Sequence, residues 1–229
     1  VRCYLSFKNF FHPYKPYSIN SILRRRRFDL FKSLFASLSR PIKILDVGGT
    51  QTFWERMGWS EEPGIEIVIL NLQRIEITYP NMQYVFGDAR DMKQFRDNEF
   101  DIVFSNSVIE HITDYDGQRL MAEEVMRVGK NLFLQTPNIF FPIEPHFLFP
   151  YFQFLPLNAK VWMVSHLNVG WYKKEPQKHK AIDICKSIRL LSKKELIKLF
   201  PDSDIYTERF LGMPKSFMVC CRSDSPQIS

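Results

Sequence analysis

Cysteine is scarce in this chain and poorly placed to staple it. Among 229 residues there are four, Cys3, Cys185, Cys220 and Cys221, with no CxxC pair and two adjacent in what reads as a strand. That pattern argues against a disulfide framework and for free thiols in a reducing cytoplasm. His12, His111, His146, His166 and His179 are scattered, and none stands at zinc spacing from another ligand, so no structural metal is expected. No run of eighteen apolar residues exists to span a membrane. The opening stretch VRCYLSFKNFFHPYKPYS lacks the unbroken apolar core and small-residue cleavage site of a secretory signal, which argues against export. Internal repeats and low-complexity tracts are also missing.

What is present is an ordinary globular composition, 45% hydrophobic and 24% charged. A chain of this length buries about 70% or more of its unfolded surface and needs no metal or disulfide to fold, so one domain is the expectation. The net charge is +6, the isoelectric point is near 9.1, and the basic density peaks at Arg24 to Arg27. Such a run reads as a solvated helix face, with contact to anionic lipid, a phosphorylated substrate or nucleic acid as the other readings.

Apolar residues at helical spacing run from Ser18 to Leu38 and break off before Pro41, which predicts a helical preface. Strands are predicted at Lys43 to Val47, Glu66 to Leu72, Met82 to Gly87, Phe100 to Ser105 and Asn131 to Gln135. The clearest crossover helix is Gln118 to Arg127, with Leu120, Met121, Val125 and Met126 apolar. Strands alternating with helices define an α/β fold whose sheet is mostly parallel and covered on both faces. From Thr136 to Pro156 there are five prolines among dense aromatics, read as an irregular connection leading into a short apolar helix around Phe147 to Leu155. Ser192 and Glu195 form a capping box that opens a helix over Ser192 to Phe200. The segments DIYTERF and SFMVCCR, joined through Gly212 and Pro214, predict a closing antiparallel hairpin.

Three segments carry the chemistry. IKILDVGGT, Ile42 to Thr50, is a buried strand ending in an acidic residue and a glycine pair, Gly48 and Gly49, where backbone can turn sharply beside a ligand. VFGDARDM follows at Val85 to Met92, and FDIVFSNSVIEHI at Phe100 to Ile112. In this order the segments resemble class I S-adenosylmethionine-dependent methyltransferases of the small-molecule type, over roughly Ile42 to Asn138. The phrase TPNIFFPIEPHFLFP resembles a bacterial subgroup associated with cell-envelope or glycan biosynthesis. The resemblance implies a Rossmann-like doubly wound sheet of seven strands. It also implies one methyltransferase domain over 1–229, with a preface at 1–40, a lid or substrate insertion at 137–180 and a closing helix and hairpin at 192–222.

Carried over by position, the resemblance makes Asp46, Gly48, Gly49 and Thr50 the loop under the methionine part of S-adenosylmethionine. A third glycine is usual in that loop; Gln51, or Thr52 by another alignment, stands there. Asn71, followed by Leu72, falls where an acidic residue usually grips the ribose hydroxyls. Asp88 and the Ala89 amide fall at the adenine, Asp88 also reading as a turn aspartate. Asn106 faces the methyl donor at the end of the fourth strand; Glu110 and His111 then open the next helix or its approach, with the histidine near the transfer site.

Methyl transfer from a sulfonium needs alignment above all, and a hydroxyl acceptor also needs a base within about 3 Å. The candidates are His111, His146 and Glu144, the last two stiffened by Pro145. Phe147, Phe149, Tyr151, Phe152 and Phe154 read first as packing within a lid. The acceptor expected is a small molecule, sugar or lipid-linked group, methylated on oxygen or nitrogen, with peripheral membrane contact open. The rival reading is a non-catalytic module of the same fold that binds cofactor or partner. GGTQTF lacks the G-x-G-x-x-G spacing of a nicotinamide-dependent dehydrogenase. A nucleic-acid methyltransferase is disfavoured because SNSVIEH carries no base-flipping signature.

Overall fold

The computed structural model describes residues 18–222; Cys3, His12 and the Pro- and Tyr-rich start lie outside them. Helix α1, Ile19–Leu34, is capped by Ser18, whose hydroxyl accepts from the Ser21 amide at 3.2 Å. It ends about a turn before the predicted stop. Strand β1 (Ile42–Val47), helix α2 (Gln51–Met57), β2 (Ile65–Asn71), β3 (Met82–Phe86), β4 (Ile102–Asn106), α3 (Tyr115–Val128) and β5 (Leu132–Pro137) follow. After a small hairpin, β6 (Ile143–Glu144) with β7 (Phe149–Pro150), come helices α4 (Leu157–His166), α5 (Lys178–Lys186) and α6 (Lys193–Leu199). Strands β8 (Asp204–Phe210) and β9 (Met213–Cys221) close the chain.

The seven-stranded sheet runs β3-β2-β1-β4-β5-β9-β8. Its first five strands are parallel, and β9 runs antiparallel between β5 and β8. The alternation of side chains across a strand sorts the core into two layers. Ile42 and Ile44 pack with Phe28, Phe31 and Trp54 of α1 and α2. Leu45 and Val47 pack on the other face with Met121, Val125 and Leu196 of α3 and α6. Burial on both faces is why these strands read as nearly continuous apolar runs. The capping box forms as predicted, with Ser192 and Glu195 each bonding the other's backbone.

The helix expected around Phe147 to Leu155 is not there. That stretch holds the β6–β7 hairpin and a 3-10 turn at Phe152–Phe154, with left-handed backbone at Leu148 and Tyr151, and the helix begins at Leu157, just after Pro156. Pro150 removes an amide that such a helix would need, while Pro156 suits a helix start. The segment builds its own small core: Phe147 and Phe152 stack with centroids 3.9 Å apart and join Val161, Val164, Ala181 and Cys185. Phe149, Tyr151 and Phe154, in contrast, are exposed. Sequence reasoning does not pick out α2 or α5. No helix among the described residues is long and apolar enough to cross a membrane, and Cys185, Cys220 and Cys221 are free thiols.

Candidate active site

Strand β1 delivers the chain to the middle of the sheet's carboxyl edge, where the crossover directions diverge and a crevice opens. The two glycines there answer different demands. Gly48 turns at φ +73°, its amide donates to the Leu70 carbonyl at 2.7 Å, and a Cβ would stand 2.7 Å from the Val108 methyls. At Gly49 a Cβ would lie 1.7 Å from the Asp46 carboxylate. The backbone is thereby stripped to a surface against which a ligand can lie. The crevice holds about 470 Å³ and is lined by Asp46, Gly48, Gly49, Thr50 and Asn106. Arg24 and Arg27 of α1 also line it.

Asp46 is nearly fully buried, and its Oδ2 accepts from Trp54 Nε1 at 2.7 Å. Burial pushes its pKa up to about 7, with the Trp54 bond pulling the other way. Such a carboxyl gains from a cation that arrives with its ligand. Asn71 is turned toward its own loop: Nδ2 donates to the Gly49 carbonyl at 3.0 Å and Oδ1 accepts from the Gln73 amide at 2.9 Å. One Nδ2 hydrogen and one lone pair of Oδ1 remain for a ribose. Gln51, in the place of a third glycine, clasps Thr78 twice, accepting from its amide at 2.7 Å and donating to its hydroxyl at 2.9 Å. The loop is held by a side chain where glycine would leave it loose.

The remaining cofactor candidates lie further out. Leu72 is exposed just beyond β2. Asp88 forms a turn, accepting from the Arg90 amide at 2.9 Å, and a fork with the Arg90 guanidinium that holds its carboxyl below the usual range. It borders a separate shallow hollow beside Arg90 and Glu124, and does not line the glycine crevice. Ala89 packs against the core layer of α3.

A second cavity of about 300 Å³ meets the first at Arg24, Arg27 and Ser107, residues common to both. Ser107 adopts a left-handed φ of +59° and donates to Gln135 Oε1 at 2.8 Å. The three acid–base candidates converge at this cavity's edge. His146 lines it, and its Nδ1 lies 2.7 Å from Glu144 Oε1. Glu144 Oε2 accepts from the His146 and Phe147 amides, fixing the pair. The His111 ring stands edge-on to His146, with centroids 5.0 Å apart. Burial opposes a charge on His146, but Glu144 and then Glu110 outweigh it and raise its pKa. On His111, whose outer edge stays in solvent, lost hydration and then the neighbouring His146 lower it.

Sequence reasoning names Glu110 without giving it a role. The structure buries it completely, bonds its Oε2 to the Thr136 hydroxyl at 3.0 Å and leaves Oε1 without a hydrogen bond among the described residues. Burial raises its pKa, partly offset by His146. Donor atoms of Glu110, His111 and His146 lie within 4.8 Å of one another, a carboxylate and two imidazoles able to pass a proton or to approach a divalent ion. Glu110 and His111 are neighbours in one 3-10 turn, but His146 comes from the β6–β7 hairpin, so no sequence spacing announces the three together. Ser107, Gln135 and Lys215 were also missed.

Residues 48–132 match the model of a family described as a methyltransferase domain. No curated protein matches the chain significantly. Among solved structures, the CurJ carbon methyltransferase is similar with a TM-score of 0.60 at 14% identity, over 94% of this chain and 57% of that one. The N-terminal domain of EvdMO1, solved with S-adenosylhomocysteine and D-fucose, gives 0.53 at 14% identity over 96% of both chains. A Methanosarcina mazei S-adenosylmethionine-dependent methyltransferase gives 0.50 at 14% identity, over 82% of this chain and 95% of that one. The chain spans about half the length of two of the solved proteins it matches, the CurJ protein at 57% and a Galdieria sulphuraria protein at 47%. At these identities the likeness is one of fold, a Rossmann-like methyltransferase sheet. The domain match and that fold agree with one another, and the group such a domain implies is S-adenosylmethionine. The crevice fits such a group: its volume suits a nucleoside-sized ligand, and Gly49 leaves the carboxylate wall uncovered.

Proposed function

We propose that this protein methylates a small-molecule or glycan-linked acceptor seated in the 300 Å³ cavity, with the glycine crevice holding the cofactor. The observation that carries the reading is the junction of the two cavities at Ser107, with the Glu144–His146 pair on the acceptor side. A bound S-adenosylmethionine supplies an activated methyl group and a neutral leaving thioether, so the protein's task is alignment and proton removal. Asp46 holds the cofactor's ammonium as its carboxyl ionises. Asn71, bonded to the Gly49 carbonyl, serves the ribose edge; Asp88 serves the adenine where the cofactor runs out of the crevice past the end of β3; and Asn106 faces the donor. Glu144 orients His146 through Nδ1 and leaves Nε2 to take the proton of an acceptor hydroxyl or amine, the geometry of a carboxylate-steered base. His111, shifted toward the neutral form, keeps a second positive charge away from His146.

The glycan reading is supported by the phrase around Pro142 to Pro150 and by the sugar present in the EvdMO1 structure. The test is calorimetric titration with S-adenosylmethionine and S-adenosylhomocysteine, NAD serving as control, followed by an acceptor screen among sugars, lipids and small acids. Micromolar binding of the first two and none of NAD is expected. Failure of both to bind refutes the cofactor assignment. Tight binding without turnover on any acceptor transfers the reading to a non-catalytic module.

A further inference from the structure

The acceptor cavity is one-sided in charge. Every charged side chain that lines it is basic: Arg24 and Arg27 from α1, His146 from the hairpin, Lys215 from β9. The carboxylates that touch these groups do not face the cavity. Glu208, itself buried, lies 3.4 Å from Arg27 Nε and 3.9 Å from Lys215 Nζ, and accepts from the Ser216 hydroxyl at 2.7 Å. One carboxylate, spent largely on Ser216 and Arg27, thus contacts two buried cations; the buried Glu110 adds a more distant negative charge for Arg27, and Lys215 Nζ otherwise donates to Asn20 Oδ1 at 3.3 Å. The Nη groups of Arg27 make no hydrogen bond among the described residues; only Nε is used, toward the Leu23 carbonyl at 3.4 Å. Burial pushes Lys215 down to about 8, and Arg27 adds to the effect. A buried excess of positive charge is costly unless an anion completes it.

We propose that the acceptor carries an anionic group, a carboxylate or a phosphate, which sits between Arg27 and Lys215 while the methylated atom faces His146 and the junction at Ser107. This rests on the reading above in taking the cavity as the acceptor's. Guanidinium and ammonium donors at one end, with Phe141, Leu148 and Trp171 along the walls, suit an anionic head on an otherwise uncharged body.

Arg24 and Arg27 also border the cofactor crevice, so the rival claimant is the cofactor's own carboxylate; Lys215 borders the acceptor cavity alone. The experiment is therefore titration of the full chain with inorganic phosphate, methyl phosphate and acetate at constant ionic strength, with glucose as neutral control. It is run with and without saturating S-adenosylhomocysteine. Saturable anion binding that persists with S-adenosylhomocysteine bound, and that weakens at least tenfold in Lys215→Met and in Arg27→Gln, is expected. The tighter of methyl phosphate and acetate identifies the head group. Arg27→Gln strands Glu208 and risks misfolding, whereas Lys215→Met keeps the stem length and leaves the test standing. Absence of saturable binding, binding unchanged in Lys215→Met, or displacement of the anion by S-adenosylhomocysteine each overturns the proposal. If S-adenosylhomocysteine itself does not bind, the cofactor assignment fails, and the titrations without it still decide the anion site.

Discussion

The two cavities that meet at Ser107 are made of different material. The glycine crevice is shaped by main chain: Gly48 and Gly49 are bare, Asp46 is sunk beneath them, and Asn71 and Gln51 tie the loop to its neighbours rather than pointing outward. The second cavity is shaped by long side chains drawn from α1, β5, the β6–β7 hairpin and β9. The first will hold one rigid ligand shape, since backbone has few alternatives. The second can change its preference by substitution alone. A constant reagent and a variable partner would need that division.

The largest way to break the comparison is Gly49→Val, which drives a side chain into the Asp46 carboxylate. Binding of S-adenosylhomocysteine should drop at least 1,000-fold, about 4 kcal/mol, by calorimetry. Anion binding at Lys215 should survive in the same variant. The converse break is His146→Ala, expected to lower turnover by about 100- to 1,000-fold while sparing cofactor affinity. In the unaltered protein turnover should climb with pH as His146 gives up its proton, at a pH above the ordinary imidazole range, because its pKa is raised. A flat pH–rate profile would remove His146 as base.

Phe152→Ala sharpens the comparison by testing whether the aromatic segment is a unit. Losing the stacked partner of Phe147 should cost about 3–5 kcal/mol locally, seen as faster hydrogen exchange over 147–186 with little change in β1 to β5. Cofactor affinity should fall as pH drops below about 7, where Asp46 takes up a proton and cannot hold the ammonium. The slope approaches tenfold per pH unit and vanishes in Asp46→Asn. Smallest are Asn71→Ala and Asp88→Ala, each expected to weaken the cofactor about fivefold, near 1 kcal/mol for a lost neutral or exposed contact. Unchanged affinity in both would displace the ribose and adenine assignments.

Much of the scaffold is legible in the sequence because its causes are local. Strands buried on both faces spell continuous apolar runs, and a capping box needs only Ser192 and Glu195. The glycine pair announces the crevice in the same way. Where the chain folds by compromise, reading fails: Phe147 to Leu155 carries enough apolar residues for a helix, but Pro150 denies it an amide and Leu148 and Tyr151 adopt left-handed backbone. The basic run divides for a reason no composition shows. Arg25 and Arg26 face solvent as expected of a helix face, while Arg24 and Arg27, three apart, turn inward. Ser107 meets Gln135 because β4 pairs with β5, and Lys215 joins them only because β9 inserts beside β5, both events of topology.

The aromatic segment between β5 and α6 packs mainly on itself, around Phe147, Phe152 and the helices α4 and α5. A piece that brings its own interior can be rewritten or exchanged between descendants without reopening the sheet beneath it. Substitutions there can reshape the second cavity while leaving the Gly48–Gly49 loop as it is.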